Sequence, residues 1–277
     1  MSERDGFEHG VPCWVETWQP DAERAVEFYS ELLGWEAEET TPPGADRRLF
    51  MCRLRGRDVA AIGSPPPVPD HTPVWGTYVW VDSAEETAAK AAEAGGSVAK
   101  QPFESLDGGR IAILIDPAGA VIGVWQPGGH RGAQLVNEPG AWSMSPLHTR
   151  DPEGSAAFYR GVFGWEPEAM DPDGGGPTLM RLPGFVGGEP LQPVPRDVVA
   201  VMVPMSREQF PDQVPSHWSV DFWIADADAT AEKAAEQGGT VIVPPYDVPG
   251  VGLRQAVLGD PQGATFSVTR APGPPSS

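Results

Sequence analysis

The chain has 277 residues and carries 19 Lys and Arg against 39 Asp and Glu, a formal net charge of −20 at pH 7. That length suggests two domains, and a charge of that sign repels phosphate backbones and anionic bilayers, so neither nucleic acid nor a membrane is an expected partner. Gly 33 and Pro 32 mark a loop-rich chain, yet 40% hydrophobic residues with 10 Trp exceed what a solvated chain carries, and the protein is read as globular.

The opening MSERDGFEHG has neither the basic nor the apolar block of a secretory signal, and no later run reaches the ~18 apolar residues that span a bilayer. A cytoplasmic location is expected. Cys13 and Cys52 are the only thiols, too few for a disulfide framework or a four-thiolate metal site. Both are expected to be buried and inert.

In chain order, a short strand over 11–18 leads to Asp21, which can cap a helix that ends near Gly34. Strands follow, among them Leu49 to Leu54. A further strand opens at Trp75, an Ala-rich helix over 84–94 stops at Gly95-Gly96, and strands over 110–115 and 120–125 close the unit. Residues from about 127 to 140, PGGHRGAQLVNEPG, read as a linker.

The same order then recurs. Asp21, Phe28-Tyr29 and Leu33-Gly34-Trp35-Glu36 return 130 residues on as Asp151, Phe158-Tyr159 and Phe163-Gly164-Trp165-Glu166. Lys90 to Val98 returns as Lys233 to Val241, and Asp116-Pro-Ala-Gly119 as Asp260-Pro-Gln-Gly263, at offsets of 143 and 144. The second copy has therefore gained residues between Trp165 and Trp218, expected in the Gly/Pro-rich stretches 171–177 and 204–216. Each copy is itself a doubled β-α-β-β-β unit. In the strand from Trp218, residues 218, 220, 222 and 224 are apolar and face a helix, while Ser219, Asp221 and Trp223 face a cleft. Its counterpart turns Gly76, Tyr78 and Trp80 the same way.

The Asp…Phe-Tyr-x3-Leu/Phe-Gly-Trp segment, the Gly-Gly after the second helix and the Asp-Pro-x-Gly turn, each present twice in order, resemble the vicinal oxygen chelate superfamily of glyoxalases, bleomycin resistance proteins and extradiol dioxygenases. The resemblance implies an α+β fold of tandem modules, 1–127 and 141–272 joined by a linker at 128–140. Four β-α-β-β-β motifs would form two half-open barrels with helices outside. Metal-dependent members place a His before the first capping Asp, a His at the strand leading to the second helix, and a Glu after the Asp-Pro-x-Gly turn. Here those places hold Trp14 and Met144, Gly76 and Ser219, and Gly123 and Ser267, so no metal and no cofactor is expected. Lactoylglutathione lyase, ring-cleaving dioxygenase and metal-dependent thiol-transfer activities are accordingly not expected.

Strand period gathers Trp14, Glu16, Trp18, Tyr78, Trp80 and Trp125 on the concave face of the first module. Such rings suit flat or cationic organic ligands, at ~0.5–2 kcal/mol per contact, or else they seal an interface. Glu16 is a hydrogen-bond acceptor or general base, or a salt-bridged residue. The second module offers Met144, His148, Ser219, Asp221, Trp223, Ser267 and Thr269. His148 with Asp221 could make an oriented base, or His148 stands on a strand edge. Arg110 and Arg254 either bind anionic ligand groups or fix a turn. His9, His71 and His130 are expected to face solvent.

Two functions fit. One is metal-independent binding of a small aromatic metabolite or antibiotic, similar to the bleomycin-binding branch. The alternative is a metal-free enzyme, glyoxalase-like or hydroxylase-like, working through Glu16 or the His148/Asp221 pair. A small-molecule ligand is the expected partner, to a monomer or homodimer.

Overall fold

Each repeat of the sequence folds alike because its punctuation is alike. The computed structural model describes residues 3–42, 44–65, 72–105, 109–171, 175–187, 194–249 and 251–270; His71 lies outside them. The first motif runs β1 (Pro12–Trp18), α1 (Ala22–Leu33), β2 (Glu36–Glu39), β3 (Leu49–Leu54) and β4 (Arg57–Gly63). The second runs β5 (Trp75–Trp80), α2 (Ala84–Glu93), β6 (Ser97–Glu104), β7 (Arg110–Ile115) and β8 (Val121–Gln126). The third has its first strand in two pieces, β9 (Trp142–Met144) and β10 (Pro146–Thr149), then α3 (Pro152–Phe163), β11 (Glu166–Ala169), β12 (Thr178–Arg181) and β13 (Val198–Pro204). The fourth is likewise split into β14 (His217–Trp218) and β15 (Asp221–Trp223), followed by α4 (Ala227–Glu236), β16 (Thr240–Val248), β17 (Leu253–Gly259) and β18 (Thr265–Arg270).

Asp21 and Asp151 cap α1 and α3 by accepting from the amides of Arg24 and Gly154. Gly34 and Gly164 end the same helices at φ of 77° and 75°, a left-handed conformation that a Cβ would strain. The buried face of α1 is Ala22, Ala25, Phe28, Tyr29, Leu32 and Leu33, the three-and-four spacing of one helical stripe. Full burial of each larger apolar side chain is worth about 1.5–3 kcal/mol.

The first module is one eight-stranded sheet in the order β2-β3-β4-β1-β5-β8-β7-β6, with β1 and β5 antiparallel at its centre. The second module is divided into β11-β12-β13-β10-β14 and β16-β17-β18-β15-β9. Register places Pro146 opposite Val201 as Glu16 stands opposite Ala61, so a proline occupies the middle of the central strand where the first module has Glu16. It has no amide hydrogen to give to a ladder. The same register puts Leu179 where Met51 stands and Val201 where Ala61 stands. The extra residues of the second copy therefore fall mainly between β12 and β13, in 182–197, rather than in the two stretches expected.

The helices lie off the sheets and meet across the modules. Tyr29 on α1 donates to Asp260 Oδ2 at 2.9 Å, and Tyr159 on α3 donates to Asp116 Oδ2 at 3.2 Å. Trp75 Nε1 and Trp218 Nε1 donate to those same hydroxyls at 2.9 and 2.8 Å. Trp35 reaches the Gly140 carbonyl at 2.6 Å and Trp165 the Gly10 carbonyl at 2.7 Å. The repeated Phe-Tyr, Gly-Trp and Asp-Pro-x-Gly residues are thus the seam between modules. Around it Phe28, Trp35, Trp75, Phe222 and Phe266 form one buried aromatic cluster. The linker is part of the packing, since Ala133, Leu135 and Val136 are buried.

Candidate functional site

Each module presents a concave strand face, and the two are built differently. In the first, register sets Trp14 beside Tyr78, Glu16 beside Gly76, Tyr78 beside Gly123 and Trp80 beside Trp125. In this cup the Trp125 ring meets both Trp14 and Tyr78 edge to face. Trp14, Tyr78, Trp80 and Trp125 are each no more than 7% exposed. A Cβ on Gly123 would lie 2.2 Å from the Tyr78 ring, and one on Gly63 would lie 2.5 Å from the Trp18 ring. The glycines are where these rings rest. Trp80 packs on Phe7, with the Arg131 guanidinium 5.4 Å from its ring.

Glu16 sits inside this cup and accepts from the Tyr78 hydroxyl and from Trp18 Nε1 at 2.8 Å. Burial pushes its carboxyl up, and the Tyr78, Trp18 and Trp14 donors with nearby His130 partly offset this. Of the alternatives left open by the sequence, Glu16 is an acceptor, and its donors are the protein's own. His130 departs from its expected solvent position. The linker amides of Ala133 and Gln134 bond to the carbonyls of Cys13 and Asp58 at 2.8 and 2.7 Å, which swings the imidazole over the cup. There it stacks on Trp125 at 5.1 Å, meets the edge of Trp14, and holds Nε2 3.4 Å from Asp58.

In the second module, Met144 stands beside Asp221, Asp221 beside Ser267, and Trp223 beside Thr269. Met144, His148 and Trp223 remain only partly buried. Asp221 accepts from Thr269 Oγ1 at 2.6 Å, Ser143 Oγ at 2.8 Å and Gln255 Nε2 at 3.4 Å. Burial pushes its carboxyl up to about 6 against the pull of those donors. Tyr246 donates to Gln255 Oε1 at 2.6 Å.

His148 and Asp221 do not form the expected pair. His148 stands opposite His217 and Asp221 opposite Met144, four positions apart along the paired strands, and His148 Nε2 bonds instead to Ser219 Oγ at 3.1 Å. Its ring stacks on His217 at 4.9 Å and tilts against Phe210 at 5.4 Å, and its Nδ1 has no partner among the described residues. Burial, with His217 alongside, lowers its pKa to about 4. Phe210 is carried by the 205–216 segment, which Arg150 ties down through the carbonyls of Phe210, Pro211 and Val214. Nothing in the local sequence points to Phe210, His217 or Tyr246 as cleft residues, because each comes from a connection or an edge strand with no motif.

Arg110 pairs with Glu85, and Arg254 with Asp228 and Asp247, so both clamp the first turn of a helix to a strand. His9 is about one-third exposed and accepts from the Asp82 amide at 3.2 Å. Both cysteines are buried, and burial raises their thiols, Cys52 to about 12.

The residues present do not fit the divalent metal of the superfamily. In the first cup the Tyr78 ring fills the space at Gly123. In the second, a thioether and two hydroxyls at Met144, Ser219 and Ser267 are poor donors for such an ion. Among the described residues, no three His, Cys, Asp or Glu side chains come together as a metal cluster. No helix among them is long and apolar enough to cross a membrane.

Residues 14–124 match the glyoxalase/bleomycin resistance protein/dioxygenase superfamily, and residues 132–269 match a glyoxalase-like domain. CFP32 of Mycobacterium tuberculosis, provisionally named a glyoxylase, is 39% identical over 98% of both chains. The anthracycline biosynthesis protein DauV of a Streptomyces species is 31% identical over 95% of this chain and 94% of its own. Among solved structures, a Mn(II)-bound glyoxalase from Novosphingobium aromaticivorans superimposes with a TM-score of 0.63 at 15% identity, over 95% of this chain and 82% of that one. The Pseudomonas 2,3-dioxygenase LapB gives 0.61 at 15% identity, over 97% and 96%. The chain belongs to the glyoxalase/bleomycin resistance protein/dioxygenase superfamily, as a two-module α+β member.

Proposed function

We propose that the protein binds a small, flat aromatic molecule in the cleft of its second module, without a metal. The observation that carries this reading is the contrast at matched positions. The first cup buries Trp14 and Trp80, whereas the second leaves their counterparts Met144 and Trp223 partly open beside a polar floor of Asp221, Ser267 and Thr269. Trp223 and Phe210 supply faces for stacking, and Ser219 and Ser267 supply polar contacts that fix orientation. Relatives named for anthracycline biosynthesis support a fused-ring ligand.

The test is titration of the purified protein with 1-hydroxyanthraquinone, read by tryptophan fluorescence. Quenching should saturate at one ligand per chain, the compound should be recovered unchanged, and Trp223→Leu should remove the effect. Saturation at two per chain, or binding untouched by Trp223→Leu, overturns the assignment to one cleft. Elemental analysis that finds a stoichiometric zinc, iron, nickel or manganese overturns the metal-free reading.

A second reading is acid–base catalysis in the same cleft. It is favoured by Asp221 at about 6 and His148 at about 4, which give the cleft an ionisable carboxyl and a neutral imidazole near pH 7. Product accumulating beyond one turnover would select it. Glu16 has no part in either reading, because its donors are already supplied by Tyr78 and Trp18.

A further inference from the structure

Asp221 is only 5% exposed, and every group bonded to it is neutral. Its surroundings are Ser143 and Met144 from β9, Gln255 from β17, Ser267 and Thr269 from β18, and Tyr246 from β16. Arg254, next in chain to Gln255, is engaged on the other side of the strand by Asp228 and Asp247. Among the described residues no Lys, Arg or His is paired with Asp221.

A carboxylate has about four lone-pair sites. Three donors reach this one, and the Gln255 bond is long. A buried carboxylate lacking a cation is costly, and bringing one from outside is the most direct relief. Other enclosed acids among the described residues are bonded differently. Glu16 has a tyrosine and a tryptophan donor, and Asp116 and Asp260 each hold a tyrosine and the amides of their own turn. Asp221 lies beside an incompletely buried tryptophan, Trp223, and a tyrosine that is 39% exposed, Tyr246. Aromatic faces next to a carboxylate are the surroundings that stabilise an organic cation.

We infer that the second cleft selects an aromatic ligand bearing a protonated amine, whose ammonium is held by the Asp221 carboxylate while its rings lie against Trp223. This rests on the proposed binding cleft and adds the charge of the ligand. The elevated carboxyl of Asp221 gives the interaction a pH signature. The carboxylate must be ionised to attract the amine, so the extra affinity is present above about pH 6 and is lost as pH falls through that value.

The experiment compares 1-naphthylmethylamine, 1-naphthylmethanol and 1-naphthylacetate on the full chain, by tryptophan quenching from pH 5 to 8. At pH 8 the amine should bind about tenfold or more tighter than the alcohol, as a charge-assisted hydrogen bond allows, and the acetate weakest. The preference should shrink toward parity at pH 5, and Asp221→Asn should remove it at pH 8 while the alcohol still binds. If the variant does not fold, the pH series on the unaltered protein decides. Equal affinity for amine and alcohol, or a preference that persists at pH 5 or in Asp221→Asn, overturns the ammonium site and leaves the cleft standing. Failure of all three to bind overturns the cleft as well.

Discussion

Where the first module sets Trp14, Tyr78 and Gly123 side by side, the second sets Met144, Asp221 and Ser267. One fold therefore carries two solutions for the same concave surface. In the first, large rings rest on glycines and pack against one another, with Glu16 bonded to Tyr78 and Trp18. In the second, small polar residues and a divided pair of strands leave a carboxylate and an imidazole nitrogen with capacity to spare. Burial alone does not define a site. What distinguishes the second cleft is a buried carboxylate, Asp221, where the first module has the Tyr78 ring.

Substitution at matched places should separate the two. Trp125→Ala empties the middle of the first cup and should cost about 4 kcal/mol in urea denaturation, whereas Trp223→Ala, already partly exposed, should cost about 1. Equal costs would mean that the first cup is no better packed than the second. The pH dependence of the second cleft comes next. With Asp221 raised to about 6 in the fold, its favourable contribution is complete below about pH 4 and is lost as pH rises to about 6, a change of about 3 kcal/mol. Asp221→Asn should flatten that slope in unfolding measured from pH 4 to 7. Gly123→Ala should destabilise by about 2 kcal/mol because the Tyr78 ring must move, while Ser267→Ala should stay within about 1. Thermal melts of the pair decide whether that glycine is a seat or a spacer. The pH dependence of His148 has the opposite sign to that of Asp221. Its contribution is complete above pH 6.5 and lost as pH falls through about 4, so its ring NMR shifts should stay flat from pH 8 to 5 and move only near pH 4.

The duplicated motifs were legible because they are local. Asp21 and Asp151 cap, Gly34 and Gly164 stop, and the alternation from Trp218 to Ile224 correctly assigns Trp218 and Phe222 to the helix side. Their partnerships were not legible. The bond from Tyr29 to Asp260 joins residues 231 positions apart, and the seating of His130 depends on where the linker amides find carbonyls. The proposed pairing of His148 with Asp221 failed on register, which sets His148 opposite His217 and Asp221 opposite Met144, a pairing that the sequence alone does not fix. Extra residues between β12 and β13 were misplaced because an offset between two copies fixes how many are gained and leaves their position to the strand register.

The reciprocal bonds of Tyr29 with Asp260 and Tyr159 with Asp116 bear on how this chain can be cut. Severed in the linker, each half would keep one orphaned phenol and one orphaned acid, and the phenol of either half is the complement of the acid of the other. The halves should thus be insoluble apart and recover when expressed together as two polypeptides. Two copies of a single ancestral half could have closed the same pair of bonds around a twofold axis.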